Sequence, residues 1–64
     1  MYTKGDIMRM LMRRDDISKA EAIRLINSCQ AYIDLAIEHG SYDEAEEALY
    51  YWLGIELDYL MIFL

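Results

Sequence analysis

Through the middle of the chain apolar residues recur every three or four positions: Ala22, Leu25, Ile26, Cys29, Tyr32, Ile33, Ala36 and Ile37. That spacing gathers them on one face of an α-helix and predicts their burial. Arg24, Asn27, Ser28, Ala31, Asp34 and Glu38 fall on the opposite, solvated face. Both ends of the helix are marked. Ser18, with Glu21 three residues on, makes a capping box in which each side chain satisfies a backbone N–H of the first turn. Gly40 supplies the stop, because the left-handed cap conformation strains any residue that carries a Cβ. The predicted helix spans Ser18–Gly40, about six turns, and the other elements are arranged around it.

Before it, Thr3 to Arg14 reads as a first helix, with Thr3 at the N-cap and Asp6 placed to complement the helix dipole. Ile7, Met10 and Leu11 form its apolar stripe, and Met8 and Met12 lie one turn apart on an adjoining side. Asp15, Asp16 and Ile17 make a short connection. It lacks glycine and proline, so carboxylate side chains are expected to close the turn. After Gly40, Ser41 and Glu44 repeat the capping-box spacing and predict a third helix to Leu53, with Ala45, Ala48, Leu49 and Trp52 buried and Gly54 as the stop. The short Gly40–Ser41 link folds it back antiparallel against the second helix. The tail, residues 55–64, is read as a short fourth helix through Leu57, Leu60, Met61 and Leu64. Its alternation of Ile55, Leu57, Tyr59, Met61 and Phe63 also fits a strand, which would have to pair between subunits. The fold expected is all-α: one domain over residues 1–64, a small three-helix bundle with a short C-terminal fourth helix and a central antiparallel hairpin of helices 2 and 3.

Composition changes this picture in one respect. The chain has 64 residues, and 56% of them are hydrophobic, above the usual share of about 45–50%. A core this small seldom supplies more than roughly 3–5 kcal/mol. Excess apolar surface predicts self-association, most simply a homodimer, through Met8, Met12, Tyr59 and Phe63. The charge balance is acidic, 12 Asp and Glu against 6 Lys and Arg. That disfavours direct nucleic-acid binding, which needs clustered cations, and favours a basic protein partner. The single cysteine, Cys29, excludes an intramolecular disulfide and fits a reducing, cytoplasmic setting. The apolar run 59–64 is too short to span a bilayer, so no membrane association is expected.

Catalytic chemistry is poorly served. Cys29 and His39 stand ten residues apart on one helix, about 15 Å by helical rise, so they cannot act together. Cys29 reads as a small buried hydrophobe and His39 as a residue capping the last turn. No phosphate loop, nucleophile elbow, zinc pattern or calcium loop is present, and no enzyme activity, metal or cofactor is expected. The third helix instead carries Asp43, Glu46, Glu47, Tyr50 and Tyr51 as an acidic ridge edged with tyrosine. Tyrosine and tryptophan are enriched at binding hot spots. Three consecutive aromatic residues point about 100° apart and cannot all enter one core.

The runs Gly40-Ser41-Tyr42-Asp43-Glu44-Ala45-Glu46-Glu47 and Tyr51-Trp52-Leu53-Gly54-Ile55-Glu56-Leu57-Asp58-Tyr59, with Ser18-Lys19-Ala20-Glu21-Ala22 upstream, resemble small acidic helical proteins of phages and gut-bacterial mobile elements. Leu57 replaces the proline of that group's pattern. The resemblance implies an origin in which small acidic proteins bind and block host proteins, CRISPR nucleases among them. The reading is therefore a non-enzymatic protein-interaction module presenting its acidic ridge to a basic partner. One alternative is a self-associating structural or assembly protein. Another is a helix-turn-helix DNA binder using Arg9, Arg13 and Arg14.

Overall fold

The first helix opens through a reciprocal pair of bonds. The Asp6 amide donates to the Thr3 hydroxyl at 3.2 Å, and the Thr3 amide donates to the Asp6 carboxylate at 2.9 Å. In the computed structural model, which describes residues 2–64, this capping box starts α1, Lys4–Asp15. The second helix, α2, spans Lys19–Glu38, with the Glu21 amide donating to the Ser18 hydroxyl at 3.1 Å. The third, α3, covers Tyr42–Ala48 and runs directly into a π-helical turn, Leu49–Leu53. A 3₁₀ helix, Leu57–Phe63, completes the chain. The fold is all-α, with no strand among the described residues.

The central hairpin forms as its sequence requires. The Gly40 amide donates to the Ile37 carbonyl at 2.9 Å and the Ser41 amide to the Ala36 carbonyl at 2.8 Å, with Gly40 at φ 73°. This is the Schellman arrangement, in which a left-handed residue lets the chain satisfy the last helical carbonyls. α2 is the spine of the molecule: it packs against α1 on one side and against α3 and the π turn on the other. Its 20 residues set the long dimension of 33 Å.

Three local expectations are corrected. Glu21 does not return to the Ser18 amide; its carboxylate pairs with Arg24 one turn on, leaving half a capping box. Ser41 makes no side-chain cap at all. Its amide is already committed to the Ala36 carbonyl, and its backbone (φ −108°, ψ 82°) lies away from the extended geometry that a capping hydroxyl needs. The Asp15–Ile17 connection is closed by backbone rather than carboxylates. Asp16 adopts the left-handed conformation (φ 53°, ψ 49°), as short polar side chains tolerate, while Asp15 pairs with Arg14.

The π turn corrects the third buried stripe. Residues spaced by four advance about 400° in an α-helix and drift around its axis. A wider turn takes up one extra residue. Leu53 is thereby brought into the core beside Ala45, Ala48 and Leu49, and Trp52 is left only partly buried. Gly54, at φ 62°, ends the turn with its amide on the Tyr50 carbonyl at 2.9 Å.

Arg14 then locks this end. Its guanidinium donates to the Leu53 carbonyl at 2.6 Å and the Gly54 carbonyl at 3.1 Å, while the Asp15 carboxylate holds its other edge at 2.8 and 2.9 Å. An arginine in the last turn of α1 thus caps the terminus of another helix.

The tail is helical, but with a period of three. Leu60 and Phe63 eclipse each other on one side of the 3₁₀ helix and enter the core with Ile55. Leu57, Met61 and Leu64, grouped with Leu60 by the expected helical spacing, are exposed. The Gln30 amide donates to the Phe63 carbonyl at 2.7 Å, the Lys4 ammonium sits 5.5 Å from the Phe63 ring centroid, and Tyr59 lies 5.1 Å from Tyr2, centroid to centroid. These contacts fasten the tail to the first two helices.

Candidate functional site

Charge is segregated along the sequence. All six cations, Lys4, Arg9, Arg13, Arg14, Lys19 and Arg24, fall within the first 24 residues; positions 25–64 hold eight carboxylates and no Lys or Arg. Three of the arginines are held locally, Arg9 by Asp6, Arg14 by Asp15 and Arg24 by Glu21. Each pairing leaves its mark. Hydrogen bonds from the Thr3 amide and from Arg9 lower the pKa of Asp6, and the Arg14 guanidinium lowers that of Asp15. The carboxylates of α3 have no ion-pair partner among the described residues.

On that helix Asp43, Glu46, Glu47, Tyr50 and Tyr51 follow one another at spacings of three, one, three and one. This traces a single helix face opposite the buried Ala45, Ala48 and Leu49. The structure brings all five together along one open groove, with Leu57 from the tail as its sixth wall. Tyr50 and Tyr51 are 78% and 81% exposed, so neither ring is used by the core. Leu57 is 53% exposed and was not among the residues expected on this face.

A second concavity adjoins the first and shares Glu47 and Tyr51 with it. Its remaining walls are Tyr32 from α2, Ala48 and Trp52. Tyr32 and Trp52 were both assigned to buried stripes. Tyr32 lies at the edge of its stripe and is 45% exposed, and the π turn swings Trp52 outward until its ring meets Tyr51 at 5.6 Å, almost perpendicular. A phenol at the margin of an apolar stripe was a legible signal, since its hydroxyl favours a half-wet position.

The residues expected to mediate self-association do not form one surface. Phe63 is 3% exposed, covered by its own chain, and is withdrawn from that set. Met8 and Met12 are half-buried against the core, Met8 in the seam with Ile23 and Ile26. Tyr59 packs against Tyr2 with the rings tilted at 55°, beside Ile7 and Met10. Burial of its hydroxyl and the neighbouring Tyr2 raise its pKa.

Cys29 is fully buried, its Sγ 3.7 Å from the Ala48 carbonyl oxygen, and burial pushes the thiol from 9.0 up to about 11. A thiol so held is a packing group. His39 stands at the C-cap of α2, where its backbone amide donates to the Leu35 carbonyl at 3.2 Å, but its imidazole bonds none of the terminal carbonyls, so the capping role expected of the side chain is not seen. No group of three or more potential metal ligands occurs among the described residues, and none of their helices is long and apolar enough to cross a membrane. What the α3 face offers chemically is unpaired negative charge beside exposed aromatic rings. No family model, curated protein or solved structure matches the chain.

Proposed function

We propose that this chain is a non-enzymatic interaction module whose α3 face receives a basic protein. The observation that carries the reading is the single groove lined by Asp43, Glu46, Glu47, Tyr50, Tyr51 and Leu57, with no cation of the chain among its walls. Unpaired carboxylates steer a basic partner and set orientation, while exposed tyrosines supply rigid contact area. With the resemblance to phage proteins, the reading extends to an inhibitor that covers the cationic surface of a nucleic-acid-handling host protein such as a CRISPR nuclease. Tagged wild-type chain and the Glu46→Lys/Glu47→Lys variant, passed in parallel over host extract, test it. The expected result is a basic protein retained by the wild type, released by added salt and lost from the variant. Equal retention by both chains, or retention indifferent to salt, overturns the reading.

A second reading is self-association through the tail. Met61 is 80% exposed and Leu64 shares its side of the 3₁₀ helix, so an apolar edge faces outward there. Light scattering on the purified chain and on Met61→Glu checks it. A dimer lost in the variant supports it, and a monomer in both removes it.

A further inference from the structure

We propose that the cavity between Tyr32 and the Tyr51–Trp52 pair is a receptor for an arginine side chain of the basic partner. The inference rests on the reading of the α3 face given above and names the group that enters it. The cavity measures about 330 Å³, near the lower end of the range for small-ligand sites, about 300–1,000 Å³. It arises where α2 and α3 meet over a small residue. Ala48 carries nothing beyond its Cβ, and Tyr32 and Tyr51 line the cavity with it. The π turn supplies the third ring. Trp52 and Tyr51 stand with centroids 5.6 Å apart and planes at 82°, so they form a corner of two aromatic surfaces.

Aromatic faces attract cations through the ring quadrupole, most strongly at tryptophan. Glu47 on the same wall adds a carboxylate with no partner of its own among the described residues. The pairing of rings with a carboxylate decides which cation fits. A quaternary ammonium has no N–H to give to Glu47. A lysine ammonium has donors but is compact and strongly hydrated, so it gains less from ring contact. A guanidinium is planar, weakly hydrated, stacks on rings and donates two parallel N–H bonds to a carboxylate. No Lys or Arg stands among the residues that line the cavity. Tyr51 is 81% exposed, so this edge of the cavity is accessible to a side chain delivered from another protein. Because Glu47 and Tyr51 also line the acidic groove, a basic segment lying along α3 would reach the cavity at that shared edge.

Trp52 is the only tryptophan, so its fluorescence reports the cavity directly. The probes are a short glycine–serine peptide carrying two arginines, the same peptide with two lysines, and tetramethylammonium chloride. We expect a saturable Trp52 response to the arginine peptide, with affinity about fivefold above that of the lysine peptide. Tyr51→Ala and Tyr32→Ala should each weaken it about fivefold, and Glu47→Gln should reduce the preference for arginine over lysine. Tyr51→Leu keeps apolar bulk without a ring face and should behave as Tyr51→Ala, with circular dichroism confirming that each variant is folded. Equal affinity for the two peptides, unaffected by the tyrosine substitutions, overturns the cavity while leaving the acidic groove standing. Tighter binding of tetramethylammonium, or no Trp52 response to any probe, also overturns it. The groove itself stands or falls separately, on Glu46→Lys in extract, since Glu46 lines the groove and not the cavity.

Discussion

At the scale of the residue, Cys29 shows how burial turns chemistry into packing. Its thiol is fully enclosed at the α2–α3 seam and titrates near 11, where a thiol in the unfolded chain titrates near 9.0. Above pH 9 the unfolded state therefore holds fewer protons than the folded one, so the slope of stability with pH is negative. The contribution is present in full below pH 9 and is lost as pH rises through about 11, amounting to at most about 2–3 kcal/mol. We expect the melting temperature to fall more steeply for the wild type than for Cys29→Ala between about pH 9 and pH 11. Subtracting one profile from the other removes the tyrosines, which titrate in both. Parallel profiles would show that the thiol ionises freely in the native state. At neutral pH a thiol reagent should label Cys29 only as fast as the molecule opens.

At the scale of the element, the junction between α1 and the π turn is held by one side chain. Arg14 bridges 39 and 40 positions of sequence to reach the Leu53 and Gly54 carbonyls, which have no helical partner of their own. Arg14→Ala should cost about 1–2 kcal/mol in urea denaturation, reduced from the value for buried charged bonds because the side chain is part-exposed. Arg14→Lys should recover only part of the loss, since an ammonium cannot hold Asp15 in a fork and both carbonyls at once. An unchanged midpoint for Arg14→Ala would mean that solvent satisfies those carbonyls equally well. This junction also marks the limit of what was legible in the sequence. Helix number, the Thr3 and Ser18 caps, the Gly40 stop and the hairpin all follow from local signals, because each is settled within one turn of chain. The five ridge residues were legible for the same reason, sharing a face of one helix. The π turn, the left-handed Asp16 and the role of Arg14 were not, because each answers to a partner far away in sequence. Tyr32 and Trp52 were misplaced on that account: only the packing of α2 on α3 decides which margin of each stripe stays open.

At the scale of the whole molecule, the decisive feature is that charge of one sign occupies most of the chain. Eight carboxylates between positions 25 and 64 share a body only 33 Å long with no cation in that segment. The Debye length is about 8 Å at physiological ionic strength and about 30 Å at 0.01 M, so at low salt these groups repel one another across the molecule. Folding brings them closer than the unfolded chain does, and the repulsion destabilises the native state. Added salt should therefore raise the melting temperature while weakening association with a basic partner, two responses of opposite sign from one cause. Glu46→Lys/Glu47→Lys separates them from helix-end effects. Asp43 and Glu44 lie in the first turn of α3, where negative charge favours the helix dipole, whereas Glu46 and Glu47 lie beyond it. The double variant should melt higher than wild type at low salt, show a flatter salt dependence and bind the partner less. Calorimetric melts across about 0.01–0.5 M sodium chloride check this. A variant that melts lower than wild type at every salt concentration would mean that Glu46 and Glu47 support the helix, and the α3 face would then be a structural surface rather than one kept unpaired for a partner.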